Sequence, residues 1–129
     1  MAPGRGLVLV AEDDAGMRTL LTRFMSAQGH EVIEAVDGQA AIALAREKAP
    51  DIILLDLGMP VKNGLEVLKE LVPSMPGTVF IVVSGNGDEK VARSCLDLGA
   101  FDYVAKPVDL EALANTVKAR LLAPKQPPL

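Results

Sequence analysis

The sequence has no tryptophan, one tyrosine and three phenylalanines, so aromatic residues make up only 3% of its 129 positions. Half the chain is nonetheless hydrophobic, and its core must therefore come from Val, Ile, Leu and Ala. A single cysteine, Cys95, cannot close an internal disulfide, which suits a reducing compartment and excludes a disulfide scaffold. No cluster of Lys and Arg stands out. The net charge of -4 and a pI near 4.9 argue against a nucleic-acid footprint. No apolar run approaches the length of a membrane span, and Met1 to Gly6 lacks the apolar stretch of a signal peptide. The expectation is a soluble, cytoplasmic domain, large enough to bury a real core.

Three unbroken apolar runs are present: Leu7 to Ala11, Ile52 to Leu55 and Val79 to Val83. Each reads as a strand covered on both faces, as in a parallel sheet. Glu31 to Val36 and Phe101 to Ala105 are mixed in polarity and fit sheet edges. Helical spacing fills the gaps. Met17, Leu20, Leu21, Phe24 and Met25 recur at i, i+3, i+4, i+7 and i+8 before Gly29 stops that helix. Asp37-Gly38 turns into a helix through Lys48, with Ala41, Leu44 and Ala45 inward. Asn63 and Glu66 have capping-box spacing, and Leu65, Leu68 and Val72 follow before Pro73 and Pro76. A fourth helix runs from about Asp88 to Leu98, with Cys95 inward beside Val91 and Leu98, and Gly99 closes it. Asp109 caps the last, which carries Leu110, Leu113, Val117 and Leu121.

Five strands alternating with five helices predict an α/β fold with right-handed crossovers. Placing the apolar strands centrally gives a flavodoxin-like (βα)5 three-layer sandwich, a five-stranded parallel sheet of order 2-1-3-4-5. Residues 1–122 form this domain, and 123–129, with three prolines, read as a flexible tail.

The strand ends carry the chemistry. The first apolar run passes into Glu12-Asp13-Asp14, the second into Asp56, the third into Ser84-Gly85, and the last strand into Lys106-Pro107. Taken alone, Asp56 could simply open a turn. In a parallel sheet all these ends share one edge, where open α/β sheets place their sites. Two carboxylates about 4 Å apart repel by about 4 kcal/mol at a protein-surface dielectric. One lysine cannot offset three acids, so a divalent cation is expected, and all-oxygen ligation favours Mg²⁺. His30, between Gly29 and Glu31, falls at the opposite edge and is not expected to be a ligand.

These motifs together resemble the receiver domain of two-component response regulators, over roughly Leu7 to Leu122. The resemblance rests on Leu9-Val10-Ala11-Glu12-Asp13-Asp14, on Asp56-Leu57-Gly58-Met59-Pro60 with Asn63-Gly64, on Ser84-Gly85 and on Lys106-Pro107. It implies that Asp56 accepts a phosphoryl group from a sensor histidine kinase or a histidine phosphotransfer protein. Asp13, Asp56 and the Gly58 carbonyl would hold Mg²⁺, with Glu12 acting mostly through water. Lys106 would pair with the phosphoryl oxygens and Ser84 would hydrogen-bond them. Tyr103 falls where the family keeps an aromatic switch. The acidic run has three members where the family needs two; the pair is placed at Glu12/Asp13, with Asp13/Asp14 as the alternative. The resemblance further implies an output protein or domain engaged through the fourth helix, fifth strand and fifth helix, a monomer or weak dimer, and no direct contact with nucleic acid or membrane. No catalysis is expected beyond the domain's own phosphorylation and dephosphorylation.

Three other readings fit less well. A flavin carrier would need a phosphate loop after the first strand, where this chain has three acids. A phosphatase of the haloacid-dehalogenase type would need an acid at Gly58. A receiver-like interaction module acting without phosphorylation would be expected to have lost some of the acids or the lysine, and all are present.

Overall fold

The computed structural model describes residues 2–123. Its elements are β1 (Leu7–Ala11), α1 (Ala15–Ala27), β2 (Glu31–Ala35), α2 (Gly38–Lys48), β3 (Ile52–Leu55), α3 (Gly64–Leu71), β4 (Val79–Ser84), α4 (Glu89–Asp97), β5 (Asp102–Ala105) and α5 (Leu110–Leu122). A short 3-10 turn, Val72–Ser74, follows α3. The strands form one sheet in the order β2-β1-β3-β4-β5, and each neighbouring pair is parallel. Order and layering agree with the expectation from the sequence. The expected tail lies, from residue 124 on, outside the described residues.

Alternation along the apolar strands sends side chains into two separate cores. Leu9, Ile53, Leu55, Phe80 and Val82 face one way, against Ile42 of α2, Leu68 of α3 and Cys95 of α4. Val8, Val10, Ile52, Leu54, Ile81 and Val83 face the other way, against Leu21 and Met25 of α1 and Leu113 and Val117 of α5. All four β3 residues are buried, as a strand covered on both faces requires. The edge strands β2 and β5 are only partly buried, which explains their mixed composition.

Helix starts follow the local sequence. Asp14, Asp37, Asn63, Asp88 and Asp109 each cap a helix through a side-chain oxygen. Asn63 and Glu66 close a full capping box. Several boundaries differ from the sequence reading by a residue, and two of them have a clear local cause. Pro73 denies α3 another α-helical bond, so Val72 belongs to the 3-10 turn. Phe101 precedes β5 instead of opening it and is half exposed under the Arg120 guanidinium, 4.5 Å from its ring centre. Leu20 also departs from the expected apolar stripe and faces outward, because Leu21, one residue on, takes the core position. Among the described residues no helix is long and apolar enough to cross a membrane.

Candidate functional site

Strand register sets the carboxyl edge of the sheet. Ala11 pairs with Leu55, and Leu55 with Val82. The chain therefore leaves β1 and β3 at the same level, and two further bonds hold the next residues there. Asp56 N–H donates to the Ala11 carbonyl at 2.9 Å, and Glu12 N–H donates to the Ala35 carbonyl at 3.0 Å. On the other side of β3, Lys106 N–H donates to the Ser84 carbonyl at 2.9 Å. The peptide between Lys106 and Pro107 is cis.

Carboxylate oxygens of Glu12, Asp13 and Asp56 all lie within 4.8 Å of one another. Glu12 and Asp56 are buried, whereas Asp13 opens to solvent. Asp14 points elsewhere: its Oδ2 accepts the Met17 N–H at 2.8 Å and starts α1. Lys106 Nζ reaches across from β5, 2.7 Å from Glu12 Oε1 and 3.6 Å from Asp56 Oδ1. Three acids face one ammonium, an imbalance a cation would correct.

Burial pushes the Glu12 carboxyl above its ordinary pKa, and the Asp56 charge adds to this against the opposing bond from Lys106. Burial alone would lower the Lys106 ammonium. Its hydrogen bond to Glu12 and the charge on Asp56 outweigh that and hold it above the usual lysine range. The lysine is thus firmly cationic, and it leans toward Glu12 more than toward Asp56.

Ser84 is buried, and its Oγ accepts the Asn86 N–H at 3.1 Å. The Tyr103 hydroxyl donates to the Asn86 carbonyl. One residue of the loop after β4 therefore touches both Ser84 and Tyr103. Gly58 lies beside the Asp56 carboxylate: a β-carbon built there would sit 3.8 Å from Asp56 Oδ2. Gly64 permits a closer approach, since a β-carbon on it would fall 2.6 Å from the Asp56 carbonyl oxygen. The start of α3 can close over this peptide only without a side chain.

Two features of the site had no clear signal in the sequence. Arg18 Nη1 donates to the Glu12 and Asp13 carbonyls, and the Asn86 backbone links Ser84 to Tyr103. Both run through backbone atoms, which residue types do not announce. His30 lies away from this edge, buried, with Nδ1 accepting the Gly6 N–H at 3.3 Å.

The donor set suits a hard cation: all its groups are oxygens, and they carry excess negative charge. Comparison with known proteins places the chain in a family. Residues 8–118 match the family model of the response regulator receiver domain. Sporulation initiation phosphotransferase F of Bacillus subtilis (strain 168) is 28% identical over 114 residues, 88% of this chain and 92% of that protein. A protein-glutamate methylesterase/protein-glutamine glutaminase of Bacillus licheniformis is 41% identical over 104 residues, 78% of this chain. The chain spans 29%, 28% and 25% of the length of that protein and two other long curated relatives. The solved receiver domain of the Francisella response regulator 1452 superposes with a TM-score of 0.83 at 26% identity, covering 90% of this chain and 96% of that one. With its five-stranded sheet and its acids gathered at one edge, this chain belongs to the response regulator receiver domain family.

Proposed function

We propose that the chain receives a phosphoryl group on Asp56 from a phosphohistidine, carried by a sensor histidine kinase or a histidine phosphotransfer protein, and then changes its partner-binding face. The observation that carries this is the placement of the Asp56 carboxylate at the end of β3, with Lys106 Nζ 3.6 Å from its Oδ1 and the Glu12 and Asp13 carboxylates within 4.8 Å. A carboxylate oxygen of Asp56 attacks phosphorus in line. The new O–P bond forms as the P–N bond breaks, and the imidazole nitrogen keeps the electron pair. Asp13 and Asp56 with the Gly58 carbonyl, and Glu12 through water, would hold Mg²⁺, which supplies positive charge to the transferring phosphoryl oxygens. Lys106 contributes a second positive charge from its place 3.6 Å from Asp56 Oδ1.

The product carries roughly 1.5 to 2 negative charges on strongly accepting oxygens. Ser84 is ready for them: its Oγ accepts a hydrogen bond, and none of the side-chain bonds of the described residues uses its hydroxyl proton. Moving Ser84 Oγ toward the phosphoryl group stretches the bond it accepts from the Asn86 N–H, and Asn86 is the residue that holds the Tyr103 hydroxyl. The change is passed on to β5 and to the flanking helices α4 and α5, where an output protein or domain docks. The chain catalyses nothing beyond its own phosphorylation and dephosphorylation. Phosphotransfer from a radiolabelled histidine phosphotransfer protein tests the reading. Label should move to wild type in the presence of Mg²⁺ and not to Asp56→Asn, whereas equal labelling of both would place the acceptor elsewhere.

A further inference from the structure

Asp13 is the exposed member of the acidic cluster, and no hydrogen bond to its side chain is present among the described residues. Its direction is therefore set by the backbone of the β1–α1 turn. Arg18, on the first turns of α1, reaches back to that turn. Its Nη1 donates to the Glu12 carbonyl at 2.9 Å and to the Asp13 carbonyl at 3.2 Å. One guanidinium nitrogen thus fixes two successive peptide planes, and with them the backbone angles from which the Asp13 side chain projects. Asp14 secures the far end of the turn, where its Oδ2 takes the Met17 N–H and its carbonyl takes the Arg18 N–H at 2.9 Å. Without Arg18, the two peptides between the strand and this cap would keep only the Asp14 N–H bond to Glu12 Oε2, at 3.3 Å. That carboxylate is also claimed by Lys106 through its other oxygen.

We infer that Arg18 is a positioning residue for the cation site: by clamping the Glu12 and Asp13 carbonyls it aims the Asp13 carboxylate at Glu12 and Asp56. The inference rests on the reading of this pocket as a Mg²⁺ site. It also has a sign that separates it from simple electrostatics. Arg18 is a positive charge beside a cation site, so deleting it should tighten Mg²⁺ binding if charge alone matters. A clamp predicts the opposite.

The test is a Mg²⁺ titration of the whole chain followed by backbone amide chemical shifts, for wild type, Arg18→Met and Arg18→Lys. Thermal unfolding is measured alongside. Arg18→Met should weaken Mg²⁺ roughly tenfold, the lower end of the cost of losing a group that orients a metal ligand. Arg18→Lys keeps the charge but lacks the planar fork, and it should weaken binding as well, by less. If Arg18→Met does not fold, Arg18→Lys decides alone. Binding as tight as wild type in Arg18→Lys, or tighter in Arg18→Met, would overturn the inference. So would a lowered melting temperature with unchanged affinity, which would assign Arg18 to stability only. A wild type that binds no Mg²⁺ overturns the reading of the pocket and this inference with it, whereas a binding wild type with unaffected variants overturns the inference alone.

Discussion

On the proposed function, and by resemblance to the receiver family, Gly58 and Asn86 would border the route by which water attacks a phosphorylated Asp56, and neither is a bulky side chain. A β-carbon at 58 would make ordinary van der Waals contact with Asp56 Oδ2, at 3.8 Å, so a side chain added there starts beside the carboxylate without a clash at its β-carbon. Gly58→Leu should lengthen the life of the phosphorylated state, by up to roughly tenfold if blocking water costs about 1.4 kcal/mol in the barrier. Decay after removal of the phosphodonor measures this, and unchanged decay would show that water enters elsewhere. His30 supports a different expectation. Its burial, and then the Arg5 charge, lower its pKa below the ordinary 6.5. Folded His30 resists a proton that the unfolded chain accepts, so its contribution to stability is present above pH 6.5 and is lost as pH falls. Arg5 is the charge that acts on it; Glu31 beside it in β2 and Asp51, which accepts the Leu7 N–H, are nearby acids. His30→Asn keeps an acceptor for the Gly6 N–H that does not titrate, and it should flatten the loss of stability as pH falls below 6.5. Parallel stability curves for the two proteins would count against this. At this scale the sequence named the candidate acids, the serine and the lysine, because each follows or closes an expected strand. It could not show that Lys106 favours Glu12 over Asp56, since that depends on Glu12 being 2% exposed.

Strand order was legible at the scale of elements because β1, β3 and β4 up to Val83 are apolar while β2 and β5 are mixed. Only a central position on a doubly covered sheet suits the first kind of strand. Helix starts were legible for a related reason, since each capping side chain precedes an apolar stripe. Two misses lay at the ends of elements, where propensity is weakest, the 3-10 turn at Val72 and the start of β5, and a third, the outward Leu20, lay within α1, where Leu21 takes the core position. The cap on α3 matters beyond that helix, because Gly64, its first residue, closes on the Asp56 peptide and donates to the Leu57 carbonyl at 3.0 Å. Asn63→Ala removes the acceptor for the Glu66 N–H and half of the capping box. It should cost about 1 kcal/mol. Urea unfolding should show a lower midpoint with an unchanged slope, whereas an unchanged midpoint would mean that Gly64 and the tertiary contacts hold the helix start unaided.

Across the whole molecule, two cores built almost without aromatic side chains clamp one sheet, and the clamped sheet delivers four strand ends to a single edge. The fold could be read from the alternation of runs, and the site from what terminates them. The route from Ser84 through Asn86 to Tyr103 could not, because it passes through backbone atoms that only the folded chain brings together. The arrangement makes one demand above all. The proposed function requires that Asp56 be the acceptor and that the acids around it need a divalent cation before it can react. Intact mass after incubation with acetyl phosphate, with and without Mg²⁺, measures this directly. Wild type should gain one phosphoryl group only when Mg²⁺ is present, and Asp56→Asn should gain none. Equal labelling of the two proteins, or full labelling in a chelator, would contradict the account.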